Sequence, residues 1–192
     1  MRRICYNTFM NEPWVSRKKL SSKEAYVSPY FKVYEDEIIR PTGKAGKYYW
    51  IKTYPAVFIV PVTEKTEIYL VGQYRYPVQE YCLEVVAGGT EGEKPLAAAK
   101  RELWEETGLK ADRWKLVGKF CPWTGIASEV DHVYIATGLT QTEENKQHED
   151  GIDQVVKVPL RAALKMIERG QIKDGQSIAA LTLAALNLKI IK

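Results

Sequence analysis

The chain has 192 residues, a length that suits one domain with a full hydrophobic core. Hydrophobic residues make up 45% and charged residues 27%, with no low-complexity tract, a composition ordinary for a soluble globular protein. The 28 basic and 24 acidic side chains leave a net charge of +4, too mild to argue for nucleic acid yet no obstacle to a polyanionic substrate.

From the start, residues 1–14 (MRRICYNTFMNEPW) lack the apolar run of a signal peptide, so a cytoplasmic protein is expected. Cys5, Cys82 and Cys121 are widely spaced and fit neither a zinc site nor a disulfide framework; they read as free thiols. Arg17, Lys18 and Lys19 read as a solvated edge. The first fifty residues read as short strands with turns, broken at Glu35–Glu37 and at Gly43/Gly46 and followed by the aromatic run Tyr48-Tyr49-Trp50. AVFIVPV (56–62) is a buried strand, far too short to span a membrane, and EIYLVGQYR (67–75) alternates as its expected partner. YCLEVVAGG (81–89) is predicted as one strand ending in a Gly pair that permits unusual backbone angles. A helix follows over Pro95–Thr107, with proline at its start and Gly108 beyond its end. KLVGKFCPW and EVDHVYIATGL (129–139) read as strands, and 142–153 as a long acidic loop of the kind that often carries function. VVKVPL returns to strand, and helices are predicted over 160–169 and 177–188. Mixed strands with three helices predict an α/β sandwich.

The helix ending KRELWEETGL (100–109) carries the chemistry. Glu102, Glu105 and Glu106 fall within about 100° of arc, on one face. Like charges there repel, and they lie just before Gly108, where the helix dipole disfavours anions; each penalty is about a few tenths of a kcal/mol. Ala98 and Ala99, one turn earlier on that side, are small enough to leave room for something bulky, while Leu96 and Leu103 mark an adjacent apolar stripe. Such a face is either solvated surface or a site for a hard divalent cation, Mg²⁺ or Mn²⁺, which takes oxygen ligands and bridges to phosphate. With His132 and His148 the only histidines, a histidine-rich zinc site is disfavoured. Neither a P-loop nor a G-x-G-x-x-G motif is present.

The stretch AGGTEGEKPLAAAKRELWEETGL (87–109) resembles the signature of Nudix hydrolases, G, five residues, E, seven residues, R-E-U-x-E-E-x-G-U, with U apolar. From Glu93 to Leu109 eight constrained positions fall in register, whereas Gly88 and Glu93 are separated by four residues, one fewer than the pattern. QYRYPV (73–78), LEVVAGG (83–89) and the tail from 155 to 181 resemble the branch that hydrolyses ADP-ribose and other nucleoside diphosphate sugars. The resemblance implies a Nudix-type α/β/α sandwich with a mixed sheet (51–192) and an N-terminal antiparallel β-meander (1–50) for dimerisation and base binding. It also implies a homodimer with exchanged or interlocked N-terminal strands, while the mild charge and the short apolar runs lead to no nucleic-acid or membrane partner being expected.

By that resemblance Mg²⁺, or Mn²⁺, is held by Glu102, Glu106 and the carbonyl of Ala87, with Glu105 a further ligand or the residue that handles the attacking water. Arg101 would hold Glu93, and Arg75 and Glu84 would serve substrate or its acid network. Glu149 is the expected base, with Asp150 and Asp153 as competitors. Tyr30 and Trp14 are the candidates for stacking on the nucleobase. Thr124 stands where ADP-ribose-specific members commonly carry proline, which implies a broader range of nucleoside diphosphate sugars. The rival readings are a dinucleoside polyphosphate or RNA-cap hydrolase on the same fold, and a catalytically silent nucleotide-binding module.

Overall fold

The computed structural model describes residues 16–142 and 151–191. The chain divides into two compact units, Met1–Lys52 and Thr53–Lys192.

The first unit carries an antiparallel sheet in which β1 (Lys18–Val27), β2 (Phe31–Ile39) and β3 (Ala45–Thr53) lie side by side in that order. The tight β1–β2 turn is closed by the Ser28 hydroxyl, which accepts the N–H groups of Tyr30 and Phe31 at 3.2 and 3.0 Å. Trp50 stacks on Tyr34 with ring centroids 4.8 Å apart and donates its indole N–H to Asp36 at 3.0 Å. Every residue of β1 is exposed.

The second unit layers helices on both faces of a four-stranded mixed sheet. That sheet runs β7 (Val86–Gly89), β4 (Ala56–Pro61), β9 (Asp131–Gln141), β8 (Leu109–Phe120); the β4–β9 pair is parallel and its neighbours antiparallel. Alternation along β4 sends Val57 and Ile59 to one face, where they pack with Ala98, Ala99 and Leu103 of α1 (Pro95–Thr107). Phe58 and Val60 point to the other face, against Ala180, Leu181 and Ala184 of α3 (Gly175–Asn187) and Leu160 and Ala163 of α2 (Leu160–Glu168). A strand covered by helices on both sides reads as a continuous apolar run, as 56–62 does.

A second sheet, β10 (Ile152–Pro159), β5 (Glu67–Arg75), β6 (Glu80–Glu84), is antiparallel throughout. Two strand expectations are corrected here. β5 does not pair with β4; the two meet in the single bridge Val62–Ile68, after which β5 diverges to the second sheet. Residues 81–89 are not one strand, because β6 and β7 belong to different sheets. The chain changes sheet at Val85, whose N–H leaves both ladders and is taken by the buried Ser177 hydroxyl of α3 at 3.0 Å.

Helix α1 starts at Pro95 and stops at Gly108, whose φ of 68° is left-handed and whose N–H closes on Trp104 at 2.8 Å. Ala98 and Ala99 are fully buried, so their small size brings the helix close to the sheet rather than leaving room for a ligand, and Leu96 is exposed instead of extending the Leu103 stripe.

Candidate active site

Close packing of α1 on the sheet lays its acidic edge along β7. Glu102 and Glu106 are 9% and 6% exposed, so two carboxylates are drawn out of water on one helical face. The Ala87 N–H donates to Glu106 Oε2 at 3.2 Å, fastening the end of the helix to the strand. One residue on, a Cβ at position 88 would overlap the Glu102 carboxyl group, so glycine there makes space for that side chain. Gly88 and Gly89 do not take the unusual backbone angles expected of them. The left-handed turn falls in the following loop, at Glu91 (φ 49°) and Gly92 (φ 90°), which carries the chain from β7 to α1 despite the residue missing from the signature.

Arg101 sits among these acids as an internal counter-ion. Its Nη1 donates to Glu102 Oε1 and Glu105 Oε2, both at 2.8 Å, its Nε to Glu93 Oε1 at 3.1 Å, and its Nη2 to the Gly89 carbonyl at 3.1 Å. Partial burial opposes the Arg101 charge, but the bonds to Glu105, Glu93 and Glu102 outweigh it and hold the guanidinium protonated beyond its usual range. The expected Arg101–Glu93 contact is present, yet Glu93 is only one of three carboxylates that share this guanidinium.

Glu84, at the end of β6, is 5% exposed and takes a two-pronged bond from Arg75 at the end of β5, at 2.9 and 2.6 Å. That bond raises the Arg75 pKa against the opposing effect of burial, and the charges of Glu84, Glu106 and Asp174 add to it. The Arg75–Glu84 pair therefore lies within the field of the acidic helix edge.

The structure thus brings together Glu102, Glu105, Glu106, Ala87, Arg101 and Glu93, with Arg75 and Glu84 beside them. Tyr30 occupies the β1–β2 turn and is 79% exposed. Asp153 is an exposed residue of β10. Trp14, Glu149 and Asp150 lie outside the described residues.

The donor set fits a hard divalent cation: the carboxylates of Glu102, Glu105 and Glu106 are oxygen ligands, and Gly88 leaves a close backbone approach beside one of them. Among the described residues no three acidic, His or Cys side chains already converge on one point, and the Arg101 guanidinium holds the place between Glu102 and Glu105. Sequence reasoning missed a second acidic cluster, Glu129 and Asp131 with Gln176; the signal for it was a pair of acids, EVD, placed directly before the apolar alternation of β9.

The chain is similar to known proteins along most of its length. The NUDIX domain family matches residues 52–181, and the nucleoside diphosphate sugar hydrolase N-terminal domain matches residues 18–51. An ADP-ribose pyrophosphatase of Bacillus subtilis is 32% identical over 169 residues, covering 87% of this chain and 91% of that protein. A methanol dehydrogenase activator of Bacillus methanolicus is 30% identical over 166 residues, covering 85% and 90%. A crystal structure of an ADP compounds hydrolase superposes with a TM-score of 0.80 at 21% identity, over 93% of this chain and 97% of that one, and so shares the fold. With its signature helix, its fold and most of its length matched, the chain belongs to the Nudix family.

Proposed function

We propose that the protein hydrolyses the pyrophosphate bond of nucleoside diphosphate sugars, ADP-ribose among them, to a nucleoside monophosphate and a sugar phosphate. One observation carries the reading. Glu102 and Glu106 are nearly buried acids fastened against β7, beside Gly88 and Ala87, where solvated surface charge would have no reason to be held. The match of residues 18–51 to a sugar-hydrolase N-terminal domain and the ADP-ribose pyrophosphatase relative support the substrate class.

Glu102, Glu105 and Glu106, with the Ala87 carbonyl, are the groups that would hold Mg²⁺, or Mn²⁺ in its place. Bound there, the cation would neutralise phosphate charge and lower the pKa of the attacking water. The protein's own share is orientation and proton transfer. Arg101 fixes the rotamers of Glu102 and Glu105, and the Arg75–Glu84 pair presents a guanidinium beside them for a phosphate oxygen. Water adds to one phosphorus, its proton passes to a carboxylate, and the bridging oxygen leaves on the other phosphate. Glu149 of the acidic loop is proposed as that base, with Asp150 and Asp153 as competitors. Tyr30 and Trp14 are proposed to stack on the base, residues 1–50 to form the element that builds a homodimer, and the protein to reside in the cytoplasm.

The test is incubation with Mg²⁺ and a panel of nucleoside diphosphate sugars, dinucleoside polyphosphates and capped RNA. Nucleoside monophosphate released from the sugars is the expected result. Binding without release from any of them would replace the reading with a silent ligand-binding module, and release from the polyphosphates or cap alone would move it to that branch.

A further inference from the structure

The proposed chemistry leaves one buried carboxyl group unused. Asp131, the first residue of β9, is fully buried, and its Oδ1 has no hydrogen-bond partner among the described residues. Oδ2 accepts from Gln176 Nε2 of α3 at 3.2 Å, and the N–H of Ala56, at the start of β4, also serves this carboxylate. Two residues earlier, half-buried Glu129 lies near the end of the connection from β8 to β9, residues 121–130, where its carboxyl group and that of Asp131 act on each other.

A half-buried carboxyl group beside a buried carboxylate resists losing its proton, and a buried acceptor oxygen needs a donor. A single proton satisfies both demands. We propose that Glu129 and Asp131 share one proton in mildly acidic solution, the Glu129 O–H donating to Asp131 Oδ1, and that this proton fastens the 121–130 connection to β9 and α3. In alkali the proton leaves to solvent, two facing carboxylates remain, and the fastening opens.

The surroundings favour the shared proton. Burial, then the adjacent Asp131 charge, pushes Glu129 up to about 7, and burial likewise raises Asp131. Asp174, the N-cap of α3, adds a further negative field at Asp131, while Gln176 and the Ala56 N–H act against it. Lys119 of β8 acts on His132, the next residue along β9, whose imidazole is held below its usual value chiefly by burial. Glu129 thus keeps its proton longer folded than unfolded. Its stabilisation is complete below the ordinary glutamate value and is lost as pH rises through about 7.

The full-length protein, with its glutamate and aspartate carboxyl carbons labelled with ¹³C, tests this by NMR titration. A glutamate carboxyl signal should titrate near pH 7, vanish in Glu129→Gln, and move down towards the ordinary range in Asp131→Asn. In Glu129→Gln the amide supplies the donor at every pH. Its Tm should therefore match that of the natural protein at about pH 4, exceed it increasingly up to about pH 7, and keep a constant excess above that. A Glu129 signal titrating in the ordinary carboxylate range, or a Tm difference that does not change with pH, overturns the proposal. If Asp131→Asn does not fold, the natural protein and Glu129→Gln decide the matter, and neither readout depends on catalysis.

Discussion

A methyl group at position 88 would collide with the Glu102 carboxyl group, although the backbone angle there suits any residue. Gly88→Ala should therefore displace one side chain rather than the strand. Turnover is expected to fall about 10–100-fold, with a urea-unfolding loss below about 2 kcal/mol. Wild-type turnover in this variant would remove Glu102 from the proposed site. Glu106→Gln makes a different perturbation, because the amide oxygen can still accept the Ala87 N–H and only the charge is lost. The fold should persist while kcat drops about 10²–10⁴-fold, as expected for a group that handles charge or protons at the reacting centre. An unchanged kcat at saturating substrate would take Glu106 out of the mechanism. Both variants are read against circular dichroism and a denaturant midpoint, so that loss of chemistry is separated from loss of structure.

At the scale of elements, the join between β6 and β7 is held by one side chain from a distant helix. Ser177 is fully buried; its hydroxyl takes the Val85 N–H at 3.0 Å, and its own N–H is capped by Asp174 at 2.6 Å. Ser177→Ala leaves a buried backbone donor without an acceptor, an expected loss of about 1–3 kcal/mol, whereas Asp174→Ala removes an exchangeable cap worth about 1 kcal/mol. Urea midpoints that rank the two in the reverse order would show the join to be held by packing alone. This contact also marks where the sequence was legible and where it was not. Helix α1 could be read to its terminal residues because proline, the periodic apolar face and Gly108 are local signals. The run 81–89 could not be divided, because apolar strands of two different sheets carry the same side chains, and the residue that marks their boundary lies 92 positions further on. The site followed the same rule. Glu102, Glu105 and Glu106 share a helix and were visible as a pattern. The pairing of Asp131 with Gln176 joins a strand to a helix 45 residues away, and no local pattern encodes it.

At the scale of the whole molecule, the question is what makes the first unit worth folding. Among its described residues only Asp36 and Ile38 are buried, while Leu20, Tyr26, Val27, Tyr30 and Tyr49 are each more than half exposed. A three-stranded sheet with so little core is marginal in water. Exposed aromatic and aliphatic side chains gathered on such a sheet are the usual mark of a surface that meets another protein. A second copy of the chain is the simplest partner, and the proposed homodimer is tested as such. Light scattering behind size exclusion should give twice the chain mass of 21.9 kDa. Because assembly would then contribute to stability, Tm should rise with protein concentration by mass action. Replacing Leu20 and Tyr26 together with lysine removes apolar contact area from β1 and adds like charges to it. The double variant should shift the mass towards that of a single chain and flatten the concentration dependence of Tm. A natural protein that runs as a single chain, with a Tm independent of concentration, would mean that the N-terminal strands serve substrate without serving assembly.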